Sequence, residues 1–158
     1  MYMEKAPYRT FARIVKENVS VPVIMAGRVD NPDTALECLD NGTCDIVSLG
    51  RPTLADPDIV QKIRSGHVDQ IRPCISCQEG CMGRIQSFSL INCAVNPQTG
   101  HERSAAYLPV TRKKRVLVVG GGVAGGEAVR VLAERGHVPV VYEATGRLGG
   151  NHIPGGAP

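Results

Sequence analysis

Along the first seventy residues, apolar positions switch between helical spacing and short unbroken runs. Phe11, Ile14 and Val15 recur at helical spacing between about Pro7 and Val19, with Arg13, Lys16 and Glu17 opposite them, which predicts an amphipathic helix. Val21-Pro22-Val23-Ile24-Met25-Ala26 is a continuous apolar run ended by Gly27, the pattern of a parallel strand buried on both faces, with Pro22 tolerated only at its start. Asn31-Pro32-Asp33 then supplies an N-cap, a proline for the first turn and an acid near the helix's positive end. Asn41-Gly42 marks the stop, and Ala35, Leu36 and Leu39 form the expected buried stripe. A second strand, Asp45 to Leu49, ends at Gly50-Arg51, and Asp56-Pro57-Asp58 opens a helix that Gly66 terminates. The predicted order is α, β, α, β, α.

The last forty-five residues carry the same alternation with a tighter turn. Arg115 to Val119 reads as a strand and Gly120-Gly121-Gly122-Val123-Ala124-Gly125 as a G-x-G-x-x-G turn. A helix carrying Ala128, Val131 and Leu132 runs on to Arg135-Gly136. Val138 to Tyr142 is a second strand, and Glu143 ends it eighteen residues past Gly125, where an acid would accept from an adenosine ribose. Strand, glycine turn, helix, strand and acid in register predict a dinucleotide site, with Gly120, Gly122, Ala124 and Gly125 letting the pyrophosphate approach the helix N-terminus. Glu143 would repel a 2'-phosphate, so FAD or NAD is expected, and Leu148-Gly149-Gly150 tilts the choice toward FAD. Ile153 to Pro158 is expected to be neither helix nor strand.

Between these regions four of the six cysteines gather as C-x2-C-x3-C-x11-C: Cys74, Cys77, Cys81 and Cys93. Thiolates select soft metals and iron-sulfur clusters. Zinc ribbons usually pair two C-x-x-C knuckles, whereas a three-plus-one spacing suits the corners of a cubane cluster, so a cluster is favoured and structural zinc is the alternative. Gly80 and Gly83 permit the tight turn between the thiols. Disulfides would need an oxidising compartment, yet Met1-Tyr2-Met3-Glu4-Lys5 leads to Arg9, Arg13 and Lys16 without an apolar signal core, and a cytoplasmic setting is expected. Cys38 and Cys44 have no partner spacing and read as packed thiols.

Composition narrows the classes further. A net charge of +3 over 158 residues does not argue for nucleic acid, and no apolar run approaches the ~20 residues that span a bilayer. The one dense basic run, Arg112 to Arg115, reads as a solvated linker. Two parallel strands each followed by Gly-Arg would place Gly27, Arg28, Gly50 and Arg51 at one end of a sheet. A single Gly-Arg after a strand is often a plain turn. Repeated, it suggests the phosphate site that the last loops of (β/α)8 barrels commonly form.

Taken together these residues closely resemble the iron-sulfur flavoenzyme branch of the old yellow enzyme family, the NADH:flavin oxidoreductases that include 2,4-dienoyl-CoA reductase and trimethylamine dehydrogenase. Pro22 to Arg28, Leu49 to Pro52 with Ala55-Asp56-Pro57, Arg72 to Arg84, and Cys93-Ala94-Val95-Asn96-Pro97 carry the resemblance. It implies an α/β chain containing the C-terminal portion of a (β/α)8 TIM barrel (1–70), an iron-sulfur segment (71–104), a linker (105–114) and the first β-α-β unit of a Rossmann-like FAD-binding domain (115–158). It also implies that Arg28, Gly50 and Arg51 serve an FMN phosphate, that the four cysteines hold a 4Fe-4S cluster, and that electrons pass from NAD(P)H through FAD and the cluster to FMN and an activated C=C substrate. The family's substrate pocket, proton donor and nicotinamide site lie on segments that this sequence does not contain, so no catalytic residue is carried over and the chain is expected to be an incomplete piece. The alternative is a non-enzymatic iron-sulfur electron carrier or a zinc-stapled binding module, and a third reading is the product of a decayed gene.

Overall fold

The computed structural model describes residues 4–155, and the chain divides into two compact units after Ser104. In the first unit the order is α1 (Arg9–Asn18), β1 (Ile24–Ala26), α2 (Pro32–Asp40), β2 (Ile46–Ser48), α3 (Arg51–Ala55) and α4 (Ile59–Arg64). A 3₁₀ turn at Val68–Gln70, a π-helical turn at Glu79–Gly83 and the short α5 (Arg84–Gln86) follow. β1 and β2 run parallel, pairing Ile24 with Ile46, Met25 with Val47 and Ala26 with Ser48. Asp45 ties the two together, accepting the Val23 N–H at 2.8 Å while pairing with Lys16 of α1.

The strands are buried on one face, not two. Side chains alternate across a strand, so Met25 goes into the core with Ala12, Val29, Cys38 and Cys44. Ile24 and Ile46, in register on the other face, are exposed. Helix packing also differs from the periodicity. The contact of α1 is made by Ala12, while Phe11, Ile14 and Val15 are exposed, Phe11 at 66%. In α2 the buried positions are Thr34 and Cys38, one turn apart. Ala35 is half-buried, and Leu36 and Leu39 are exposed. In both helices small side chains let the backbone approach the short strands, which places the contact stripe beside the bulky residues. Cys38 and Cys44 are packed thiols as expected, and burial pushes both thiols up from the ordinary range.

Local signals behave as their chemistry dictates. Asn31 caps α2 by accepting the Thr34 N–H at 2.9 Å. Gly66 follows α4 with φ +77. The element absent from the predicted order is α3, which Pro52 initiates immediately after Gly50.

The second unit contains β3 (Arg115–Val119), α6 (Val123–Glu134), β4 (Val138–Tyr142) and α7 (His152–Gly155). β3 and β4 pair in parallel from Arg115 with Val138 to Val119 with Tyr142, making a β-α-β unit. Val131 and Leu132 of α6 are half-buried and Ala128 is exposed, while Leu117, Val119 and Tyr142 lie on an open face of the sheet. Segment 105–114 lies against α6 through Val110 N–H to Arg135 O at 3.0 Å and through Arg130 over the Tyr107 ring at 5.2 Å. Ile153, expected outside any helix, belongs to α7. The left-handed glycines Gly149 and Gly150 turn the chain so that their carbonyls accept from His152 and Ile153. Residues 156–158 of that expectation lie outside the described residues. Among the described residues no helix is long and apolar enough to cross a membrane.

Candidate functional site

The two Gly-Arg pairs do meet. Gly27, Arg28, Gly50 and Arg51 line one cavity of about 230 Å³ together with Asp30, Ser48 and Cys74. Arg28 Nε is buried without a hydrogen bond, its nearest acid oxygen being Asp30 Oδ2 at 3.8 Å. Asp30 is also paired with Lys5 at 3.2 Å. A guanidinium at a cavity wall with an unused donor has the chemistry to take an anion. The two glycines do different work. A Cβ on Gly27 would lie 2.5 Å from the Tyr8 ring, and its φ of +129 is already glycine territory, so this glycine shapes the turn. A Cβ on Gly50 would meet nothing within 4 Å and would project into open space.

The cysteines form the adjoining wall. Cys74, Cys77, Cys81 and Cys93 are free thiols lining a single cavity with Arg51, Leu54 and Asn92. Among the described residues no three His, Cys, Asp or Glu side chains converge as ligands of a single ion do. The thiols are spread round the cavity wall. Tight turning comes from unexpected residues: Ser76 and Gln78 are left-handed, at φ 55 and 59, and the Gly83 N–H then closes the π turn on Gln78 O at 2.9 Å. Gly80 is required for close approach, because a Cβ there would lie 2.2 Å from Asn92 Oδ1 and 2.7 Å from Asn92 O. Asn92 N–H donates to Gly80 O at 2.7 Å, which brings Cys93 back against Cys81. A Cβ on Gly83 would make only an ordinary contact at 3.5 Å, so the turn does not demand glycine there. The loop between Cys81 and Cys93 ends in a bare tip, with Phe88 at φ 52 and 99% exposed.

Behind both cavities stands a group that the sequence signals missed. Asp56, read as part of a helix-opening Asp-Pro-Asp, is buried, and its carboxylate accepts from Lys62 Nζ at 2.6 Å, Arg72 N–H at 2.8 Å and Asp58 N–H at 3.1 Å. Burial works to raise its pKa, but Lys62 and the two backbone donors outweigh it and hold the carboxyl below the ordinary range. Asn96 and Thr99 are buried as well. Their only sequence signal is Asn96-Pro97, a turn dipeptide.

In the second unit Gly120, Gly122, Ala124 and Gly125 form the turn from β3 into α6. Gly122 is the N-cap of α6 and no side chain caps it, so the first-turn N–H groups form the kind of site that accepts anions. A Cβ on Gly125 would lie 1.9 Å from Gly120 O, which makes this glycine the one that lets α6 pack against the turn. Glu143 reaches back over it, accepting the Gly121 N–H at 2.7 Å on one oxygen and Thr145 N–H and Oγ1 at 2.9 and 2.8 Å on the other. The Thr145 and Gly121 backbone donors, with the Thr145 hydroxyl, push its pKa down to about 2. The Ala144 backbone N–H adds to these donors, so the carboxylate is held by its own turn.

Residues 3–70 match the model of the NADH:flavin oxidoreductase / NADH oxidase family. The cinnamate reductase of Clostridium sporogenes is 48% identical over 158 residues, the whole of this chain and 24% of that protein. The bilirubin reductase of Mediterraneibacter gnavus is 44% identical over 140 residues, 89% of this chain and 22% of that one. Among solved structures, the histamine dehydrogenase of Rhizobium sp. 4-9 superposes with a TM-score of 0.86 at 32% identity, over 95% of this chain and 22% of that one. The chain spans about a quarter of the length of the curated relatives it matches. Over residues 3–70 this chain is thus similar to the NADH:flavin oxidoreductase / NADH oxidase family, and the identity to the cinnamate reductase continues through both units.

Proposed function

We propose that this chain is the cofactor-gathering portion of a flavin- and iron-sulfur-dependent oxidoreductase. In this reading Arg28, Gly50 and Arg51 hold the phosphate of FMN at the mouth of a partial TIM barrel, with Gly27 shaping the turn. Cys74, Cys77, Cys81 and Cys93 hold a 4Fe-4S cluster. The turn formed by Gly120, Gly122, Ala124 and Gly125, with Glu143, holds FAD in the opening of a Rossmann-like domain. The observation that carries the reading is a shared wall: Arg51 and Cys74 line both the arginine cavity and the cysteine cavity, so an anion site and a thiolate site meet back to back.

The residues present fit these groups. The unused donor of Arg28 and the open space above Gly50 suit a phosphate. Four free thiols spread round one cavity suit ligands to separate corners of a cluster. When bound, such flavins exchange hydride with a nicotinamide and with an activated C=C bond, and such a cluster relays single electrons between them. This chain's side chains bind and orient. Arg28 and Arg51 neutralise an anion, the cysteines supply thiolate, and Glu143 offers an acceptor to a ribose. Of the three relatives named above, two are reductases and one is a dehydrogenase, so such a chain serves electron flow in either direction.

Anaerobic purification of the 158-residue chain, with assay of iron, sulfide, zinc and flavin, tests the reading. About four irons and four sulfides per chain are expected. With the Ile24 and Ile46 face of the sheet open, neither tight FMN binding nor enoate reduction by this chain alone is expected. Stoichiometric zinc without sulfide would replace the cluster reading with the zinc-stapled module, and bound FMN with turnover would overturn the incomplete-piece reading.

A further inference from the structure

The end of α3 grips both ends of the cysteine segment. The Leu54 carbonyl accepts from Asn96 Nδ2 and from Thr99 Oγ1, each at 2.8 Å. Two residues on, Asp56 Oδ2 accepts the Arg72 N–H at 2.8 Å and Lys62 Nζ at 2.6 Å, and that ammonium also donates to Gln70 O at 3.0 Å. The chain just before Cys74 and the chain just after Cys93 are therefore anchored to one helix end, the first on the Asp56 carboxylate and the second on the Leu54 carbonyl two residues earlier. Asp56, Asn96 and Thr99 are 3%, 2% and 1% exposed, and none of them lines the cysteine cavity. Buried polar groups persist where their bonds are complete, and here the bonds to Leu54 O and from Arg72 N–H hold the two arms to α3, while Asp58 N–H and Gln98 N–H complete Asp56 and Asn96 locally.

The sequence spacing makes that grip consequential. Cys74, Cys77 and Cys81 lie within one turn-rich stretch whose backbone fixes them locally. Cys93 is twelve residues further on, past the exposed tip at Phe88. Inside the segment it is returned by Asn92 N–H to Gly80 O at 2.7 Å and Asn96 N–H to Cys93 O at 3.3 Å. The longer a loop, the more conformations its ends must give up to meet. The fourth thiol is thus the one whose place depends on an outside anchor.

We infer that Asp56, Asn96 and Thr99 are positioning residues that set Cys93 against Cys74, and so determine whether the fourth thiolate reaches a group bound by the other three. The inference rests on the reading of the four cysteines as an iron-sulfur site. Outer-shell partners of this kind typically change affinity by about ten- to a hundredfold when removed.

The test is anaerobic loading of the full chain with ferrous iron and sulfide. Wild type is compared with Asn96→Ala, with the near-isosteric Thr99→Val, and with Thr99→Ser, which keeps the hydroxyl. Iron per folded chain, the electron paramagnetic resonance signal and the rate of iron loss to a chelator are read together. The expected result is loss of one iron corner in Asn96→Ala and Thr99→Val, seen as a three-iron signal in the oxidised protein, with iron loss about tenfold faster, and wild-type behaviour in Thr99→Ser. A purely structural role would lower the folded fraction and leave the signal per folded chain unchanged, and that result overturns the inference. If Asn96→Ala does not fold, Thr99→Val decides by the same signal. Wild-type protein that takes up no iron and sulfide overturns the cluster reading and this inference together. Identical loading in all four proteins overturns this inference alone.

Discussion

Both units end a parallel strand in glycine and face an anion-sized opening, yet they supply positive charge by different means. After β2 the helix that follows Gly50 is only five residues long. Its few peptide dipoles add little, and the charge comes from the guanidinium groups of Arg28 and Arg51. After β3 the helix runs twelve residues from the uncapped Gly122, and the backbone itself is the donor. An acid, Glu143, lies over that turn. The short helix is thus accompanied by charged side chains, and the long one by an acid at its turn. The glycines divide accordingly. Gly125 is there for packing, and Gly50 for space.

The contrast can be broken most forcefully at Gly125. Gly125→Ala would press a methyl group to 1.9 Å from Gly120 O, and a loss of about 3 kcal/mol is expected in urea unfolding of the second unit, with the first unaffected. A smaller effect tests the side-chain mode. Arg28→Met should weaken binding of inorganic phosphate to the first unit about tenfold, read by chemical-shift titration, because a charge-assisted bond is lost while Asp30 keeps Lys5. Equal phosphate binding by the variant would leave Arg28 a purely structural residue.

The subtlest effect concerns pH. Glu143 titrates at about 2 in the folded chain, below its ordinary value of 4.5. Its contribution to stability is therefore complete above the unfolded pKa and is lost as pH falls toward 2. Glu143→Gln should remove that part of the acid sensitivity of the second unit. The acid sensitivity of the first unit should persist, since Asp45 and Asp56 there are also held below the ordinary range. Urea unfolding across that pH window, followed separately for each unit, measures it.

What was legible in the sequence was the backbone grammar. Asn31 as a cap, Gly66 as a stop and the Gly120 to Gly125 turn act through their immediate neighbours, so spacing alone reveals them. What escaped depends on partners distant in sequence. Gly27 is a glycine because of Tyr8, and Gly80 because of Asn92. Ala12, Thr34 and Cys38 displace bulkier residues from the contact stripe because the three-residue strands demand close approach. Asp56 looked like a helix opener because its principal partners, Lys62 and Arg72, lie six and sixteen residues on. Periodicity carries no record of such pairings.

The bare tip at Phe88 has a consequence for how the cysteine segment comes apart. A chymotrypsin-like protease favours an exposed aromatic side chain, and Phe88 is 99% exposed in a loop. A single nick there would leave Cys74, Cys77 and Cys81 on one fragment and Cys93 on another. The two fragments would then be joined by non-covalent contacts alone, among them the hydrogen bonds at the end of α3, across Gly80 and between Arg84 and residues 89–90 of the loop. Whether the two fragments stay together after the nick would show if this corner of the molecule is held by the covalent thread or by the frame around it.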